Sequence, residues 1–235
     1  MSSIAIITAR GGSKRIPKKN IREFCGKPII SYSIKAALDS GIFDMVMVST
    51  DSDEIAAVAR QYGAEVPFLR SVRTSDDFAT TSDVIIEVLD RYAEQGMEWD
   101  IFACLYPTAP FVSAQRLRDA MAIMREDDID SVIPVIPFSY PPQRGLVFQG
   151  KYIRYAMPQY ERARSQDLEK LYHDCGQFYI CRTRRFYNQK SLVMEHTIPF
   201  VINELEVQDI DNETDWKLAE LKFKLLRGDK DVSFT

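Results

Sequence analysis

Between Arg10 and Asn20 the sequence reads Arg-Gly-Gly-Ser-Lys-Arg-Ile-Pro-Lys-Lys-Asn, with five cations (Arg10, Lys14, Arg15, Lys18, Lys19) and no acid before Glu23. Glycine lets a backbone come close to a ligand. Consecutive N–H groups with a serine hydroxyl can cup an anion, and Lys and Arg supply the opposing charge. That combination is chemistry for a polyphosphate. A solvated basic loop is the plainer alternative, but the glycines and the position just past an apolar run speak against it. Neither GxxxxGK[ST] nor GxGxxG occurs, so this is neither a Walker loop nor a dinucleotide fingerprint. Far along the chain, Val207-Gln-Asp-Ile-Asp211 places Asp209 and Asp211 two residues apart. Read as a strand, the segment turns both carboxylates to one face. Such a pair suits Mg²⁺, with phosphates and waters completing the shell. If Asp211 or Asn212 merely capped the final helix, Asp209 would be left without a role.

The elements that must hold these groups are legible in the hydrophobic pattern. Ile4–Ala9, Met45–Ser49, Asp100–Tyr106 and Ser131–Ile136 are apolar runs that predict buried strands. Helical spacing predicts helices from Pro28 to Gly41, Asp51 to Tyr62, Ser82 (as cap) to Gln95, Ser113 to Arg125 and Glu213 to Leu226. Strands alternating with helices predict βαβ units around a parallel sheet, whose ligands bind beyond the carboxyl ends of the strands. From Pro137 to Asp174 the pattern lapses into Pro141-Pro142, Gly145, Gly150 and several tyrosines, among them Tyr140, Tyr152, Tyr155 and Tyr160. A strand pair or arm projecting from the sheet is expected there, packing on something beyond the core. The sheet resumes at Gln177–Cys181 and Phe200–Val201.

Composition bounds the answer. The chain has 235 residues, 46% hydrophobic and 27% charged, which predicts one domain spanning 1–235. Lys plus Arg number 30 against 34 Asp plus Glu, a net charge of −4, so a general nucleic-acid binder is not expected. Four cysteines without a CxxC pair read as reduced thiols, and His173, Cys175 and Cys181 fit no common zinc spacing. No signal peptide or membrane span is seen, so a soluble, cytoplasmic protein is expected.

Ala9-Arg-Gly-Gly-Ser-Lys-Arg-Ile-Pro-Lys-Lys-Asn20 resembles the signature of the acylneuraminate cytidylyltransferase family, which makes CMP-activated nonulosonic acids. The resemblance runs through Gly26-Lys-Pro-Ile29, Val48-Ser-Thr-Asp51, Arg70 with Ser75-Asp76-Asp77, and Pro107-Thr-Ala-Pro110, to Asp209-Ile-Asp211 with Asp215. It implies a three-layer α/β/α fold with a mainly parallel sheet, of the Rossmann-like nucleotide-diphospho-sugar transferase type, with residues 137–174 as a projecting dimerisation arm. It implies a homodimeric nucleotidyltransferase that uses CTP, Mg²⁺ and a nonulosonic acid, and neither nucleic acid nor membrane. Ala9, Arg10, Gly11, Gly12, Ser13, Lys14, Lys19 and Asn20 would meet CTP and its phosphates, and Arg70, Ser75, Asp76 and Thr80 would line the cytosine and ribose. Asp209 and Asp211 would hold the metal, and with Arg10, Lys14 and Lys19 would carry catalysis.

Sialate synthetases read Gln-Pro-Thr-Ser-Pro-Leu-Arg where this chain has Tyr106-Pro-Thr-Ala-Pro-Phe-Val112, which weakens N-acetylneuraminic acid as the acceptor. The stretch Arg164–Tyr179 instead resembles the pseudaminic acid subfamily. On that resemblance Tyr106, Thr108, Arg164, Gln166, His173, Asp174 and Gln177 would face the sugar. N-acetylneuraminic and legionaminic acids are the alternative acceptors. A non-catalytic nucleotide-sensing relative, or an RNA binder using the basic loop and the tyrosines, is the alternative from another class. The octulosonate branch fits poorly, since Leu-Pro-Gly-Lys-Pro is replaced by Ile16-Pro-Lys-Lys-Asn20.

Overall fold

The computed structural model describes residues 1–13, 15–126 and 128–228. The chain opens with β1 (Ser3–Thr8), a two-residue ribbon of β2 (Glu23–Phe24) and β3 (Lys27–Pro28), α1 (Ile30–Ser40), β4 (Met45–Ser49) and α2 (Asp53–Gln61). Next come α3 (Thr81–Ala93), β5 (Ile101–Leu105), α4 (Ala114–Ile123) and β6 (Ser131–Pro137). A hairpin of β7 (Leu146–Gln149) and β8 (Tyr152–Tyr155) precedes β9 (Tyr172–Asp174), β10 (Phe178–Arg182), α5 (Thr183–Gln189), β11 (Thr197–Val201) and α6 (Glu213–Arg227).

The main sheet runs β11-β6-β10-β5-β1-β4. β1 lies parallel between β4 and β5, with Ile6 opposite Met47 and Cys104. β9 and β10 depart from the parallel expectation: β10 enters antiparallel between β5 and β6, and β9 runs antiparallel to β6. Opposite β11, the other edge of β6 serves two partners, β10 at Ser131–Val132 and β9 at Val135–Pro137. Gly176, at φ +60°, lies in the break between β9 and β10.

Alternation along the strands builds two cores. Ala5 and Ile7 face one side with Ile34 of α1, Ala59 of α2 and Leu117 of α4. Ile4 and Ile6 face the other with Val88 of α3 and Phe186 of α5. Helices on both faces of one sheet make three layers. The predicted helices form, α1, α2 and α4 with tighter ends and α6 one residue longer at its end. α3 begins one residue before the expected Ser82 cap: Thr80 is the cap, in a reciprocal box with Asp83.

A third apolar cluster lies off the sheet and fixes the chemistry-bearing segments. Ile16 and Phe24 of the basic loop pack with Ile29, Phe111, Ile210, Trp216 and Ala219, all at most 8% exposed. Phe24 meets Trp216 and Phe223 edge-on at 5.6 and 5.3 Å. Val207–Asp211 is extended but is not a strand, because β11 is the last strand of the sheet and the chain leaves it before Val207. Ile210 is driven into the third cluster, and Val207 into a small one with Ile136, Cys175 and Ile202.

Between β6 and β9 the hairpin β7–β8 pairs Leu146 with Tyr155 and Gln149 with Tyr152, outside the main sheet. Its apolar side chains are largely uncovered, Phe148 at 86%. Among the described residues no helix is long and apolar enough to cross a membrane.

Candidate active site

A cavity of about 490 Å³ opens where β1 and β5 end, beyond the carboxyl ends of the strands as open α/β sheets require. One wall is the basic loop, with Arg10, Ser13, Arg15, Lys19 and Asn20. The opposite wall is the 70–84 segment, with Arg70, Thr74, Asp76, Asp77, Thr80 and Thr81. Thr8, Tyr106, Pro107 and Thr108 lie between them. Lys14 falls outside the described residues.

The loop is held rather than floating. Asn20 donates its amide to the Arg10 carbonyl at 2.8 Å, and Gly11 N–H gives to Asp51 Oδ1 at 2.7 Å. A Cβ on Gly11 would come within 3.2 Å of the Ser52 Cβ, so the glycine lets the loop lie against the start of α2. The Ser13 N–H bonds back to Gly11. The expected cradle of loop N–H groups is therefore partly consumed by the loop itself, and the charged side chains carry the anion-binding capacity. Ala9 is fully buried, its N–H on the Ser49 carbonyl, and serves the loop as its root. Gly12 has open space around its Cα. Arg10 reaches across to Asp77 at 2.8 Å and Arg15 to Asp211 at 2.7 Å. Both are solvent-exposed pairs that a stronger anion displaces at small cost.

Arg70 is nearly buried, its guanidinium fixed to the Ser49 carbonyl at 2.7 Å and Ser49 Oγ at 3.1 Å. Burial lowers its pKa, and Asp51 and Glu87 oppose that. Ser75 does not reach the cavity; its hydroxyl closes on the Ser71 carbonyl at 2.7 Å. Asp76 Oδ1 accepts the N–H groups of Phe78 and Ala79, and Thr80 is committed to capping α3. The family-implied nucleoside residues thus mostly shape the wall. What anchors them was not anticipated: Glu87, 8% exposed, accepts the Ser71 N–H at 2.8 Å, the Ser71 hydroxyl at 2.6 Å and the Thr74 hydroxyl. Burial pushes the Glu87 carboxyl up, but those hydrogen bonds outweigh it and hold it below the usual range. An acid inside the apolar run Val84–Leu89 was the available signal.

Lys19 joins the cavity to the acidic pair. Its ammonium donates to the Ile210 carbonyl at 2.7 Å, between Asp209 and Asp211 in sequence. Burial lowers its pKa, and the two carboxylates partly restore it. Asp209 is raised by burial and then by Asp211, with Lys19 offsetting in part. Helix capping does not claim either acid, because Asn212 and Asp215 make the cap of α6. Two convergent carboxylates with one raised by the other's charge suit a hard dication. Among the described residues no cluster of three His, Cys, Asp or Glu side chains forms a complete site. The donor set therefore fits Mg²⁺ held by two carboxylates with substrate oxygens, and not an all-protein cage.

The residues expected to face a sugar separate. Tyr106 and Thr108 line the cavity. Asp174 is one bond removed, accepting the Tyr179 hydroxyl, and Tyr179 packs on Tyr106 at 5.6 Å. Gln177 is buried: its side-chain amide donates to the Glu206 carbonyl at 2.6 Å, while its main-chain carbonyl accepts the Tyr106 N–H at 2.9 Å. His173 bonds the Asp174 carbonyl at 2.8 Å and packs on Phe138. Gln166 lines a separate cavity of about 370 Å³ under the arm, and Arg164 pairs with Asp167 at 2.7 Å. Neither lines the main cavity.

Comparison with known proteins agrees with this architecture. The chain is 38% identical over 226 residues to a pseudaminic acid cytidylyltransferase of Campylobacter jejuni, covering 96% of this chain and 97% of the relative. It is also 38% identical over 238 residues to the CMP-N,N'-diacetyllegionaminic acid synthase of Legionella pneumophila, with the same coverages. A CMP:2-keto-3-deoxy-manno-octonic acid synthetase solved with CTP superposes with a TM-score of 0.68 at 18% identity, covering 97% of this chain and all of that one, a likeness of fold. The family model described as "Cytidylyltransferase" matches residues 4–204, and the chain belongs to the cytidylyltransferase family.

Proposed function

We propose that this enzyme transfers CMP from CTP to the anomeric hydroxyl of a nonulosonic acid, pseudaminic acid first among them, and releases pyrophosphate. The observation that carries the reading is the joining of the two charged segments: Lys19 of the basic loop lies against the Asp209–Asp211 backbone at the edge of the cavity. A nucleotidyl transfer needs cations for the triphosphate and carboxylates for its metal in the same few ångströms. The similarity of Arg164–Tyr179 to the pseudaminic branch favours that acid. The equal identity to the legionaminic relative makes legionaminic acid the second reading.

In this assignment Arg10 and Lys19, with Lys14, neutralise the phosphates, exchanging Asp77 and the Ile210 carbonyl for phosphate oxygens. Arg70 and the Asp76–Thr80 turn shape the nucleoside end. Asp209 and Asp211 would hold Mg²⁺, which when bound would supply positive charge against that of the phosphates and make a nearby hydroxyl more acidic. The sugar hydroxyl attacks the α-phosphorus in line with the departing pyrophosphate, and the protein's own share is positioning and charge. The uncovered apolar side chains of the 137–174 segment support a homodimer contact there.

The test is pyrophosphate release with CTP and Mg²⁺ against pseudaminic, legionaminic and N-acetylneuraminic acids. Release is expected to be fastest with pseudaminic acid. Faster turnover of legionaminic acid transfers the assignment to that acceptor, and no release with any of the three overturns the reaction.

A further inference from the structure

The segment that carries Asp209 and Asp211 has left the sheet, so its carbonyls need donors other than a strand ladder. Two lysines from two different elements supply them. Lys222 of α6 donates to the Val207 carbonyl at 2.7 Å and to the Glu204 carbonyl at 3.3 Å. Lys19 of the basic loop takes the Ile210 carbonyl at 2.7 Å. In sequence, the Val207 and Ile210 carbonyls bracket Asp209. Lys222 comes three residues after the buried Ala219, one turn along the face of α6 that turns Trp216 and Ala219 inward. A lysine there lays its stem along the apolar surface and needs an acceptor for the ammonium at its tip. The main chain leading into the acidic pair is that acceptor.

The two lysines part company when a triphosphate binds. On the nucleotidyl-transfer reading, Lys19 exchanges the Ile210 carbonyl for phosphate oxygens. The segment then loses one of the two ammonium groups that hold it, just as its carboxylates are needed. Lys222 does not line the cavity and keeps its carbonyls. We propose that Lys222 is a positioning residue: its hold on Val207 keeps Asp209 and Asp211 placed for the divalent cation after Lys19 has turned to the nucleotide. The proposal rests on the nucleotidyl-transfer reading, and its sign is opposite to that of simple charge. Taking a cation away from two carboxylates makes them more attractive to a dication. Taking an anchor away makes them less so.

The test is equilibrium binding of CTP with no sugar present, once in EDTA and once in Mg²⁺. The ratio of the two affinities measures the coupling between nucleotide and cation, without any turnover. Lys222→Met keeps the stem and removes the ammonium. Its tightening of CTP by Mg²⁺ is expected to be about tenfold smaller than that of the wild type, with the affinity in EDTA within about twofold. Lys222→Gln retains a shorter, uncharged donor, and a fall of about threefold is expected; it carries the test if Lys222→Met does not fold. Undiminished tightening in the folded variant overturns the proposal, and increased tightening does so as the signature of charge alone. A loss of CTP affinity that is equal in EDTA and in Mg²⁺ also overturns it, because the nucleotide site as a whole is then disturbed. A wild type whose CTP affinity is the same with and without Mg²⁺ overturns the metal assignment and this proposal with it. A wild type that Mg²⁺ tightens, with variants tightened as strongly, overturns only the part given to Lys222.

Discussion

The loop after β1 and the segment between β6 and β9 are both irregular and both charged, yet they are held by opposite means. The loop sends Ile16 and Phe24 into an apolar cluster of its own, so its cations stand on a rigid base. The later segment is held chiefly by local links, such as Arg164 with Asp167 and Arg144 with Ser165, while Tyr140 and Phe148 stand more than four-fifths exposed. The difference follows from what each must do. Neutralising a triphosphate rewards donors fixed in advance, since misplaced charge gives little stabilisation of a transition state. An apolar hairpin gains its stability from whatever covers it, and within this chain little does.

Substitutions can break or sharpen that contrast. The largest effect is expected at the pinned end: Asp209→Asn should lower kcat/KM about 100-fold or more in pyrophosphate release, through lost metal affinity. Near-normal kcat/KM at limiting Mg²⁺ would remove the metal assignment. Next, Trp216→Ala takes away the floor beneath the loop. It should cost about 3–5 kcal/mol in denaturant unfolding and raise the KM for CTP, although Trp216 does not line the cavity. A loss of stability with an unchanged KM would mean the loop is placed by its own hydrogen bonds.

The opposite wall should respond more weakly. Glu87→Gln keeps the volume but forces an amide against three donors, for a cost of about 1–3 kcal/mol. Because the folded Glu87 carboxyl is held below its ordinary value, the unfolded chain binds its proton first as pH falls. Its contribution is therefore present above the ordinary carboxylate range and lost as pH drops through the folded value. The stability gap between wild type and Glu87→Gln should be widest near neutral pH and close in acid, read from melting temperatures. The smallest change in fold stability is expected in the arm, where Phe148→Ser should alter unfolding by no more than about 0.5 kcal/mol. Light scattering should nonetheless show weaker self-association, and a dimer of undiminished strength would move the interface elsewhere.

Much of this molecule could be read before folding it. Buried strands announced themselves as apolar runs, and Asn20, Lys19 and Arg10 converge where the loop's position past β1 put them. What could not be read was long-range partnership. The Thr80 cap is a separate, local case: Asp83 three residues on completes its box, a pattern present in the sequence itself. Asp209 and Asp211 do converge, but Ile210 anchoring in the third cluster does the work assigned to a strand. Resemblance puts Gln177 at the sugar, yet its side chain is buried against the Glu206 carbonyl and its main chain takes the Tyr106 N–H. Arg164 and Gln166 were placed by resemblance, and the fold carries them away from the main cavity.

The bond from Lys19 to the Ile210 carbonyl spans 191 positions of sequence. Closing so long a separation carries an entropic cost that grows only with the logarithm of length, but it cannot be met until both ends exist. During synthesis the sheet strands β1, β4 and β5 can assemble while the basic loop still lacks Ile210 and Trp216. The order of chain emergence thus makes the triphosphate site a late product of folding. A nascent chain that has already formed most of its core still presents its densest run of positive charge held at Asp51 and Glu54 but without its apolar floor.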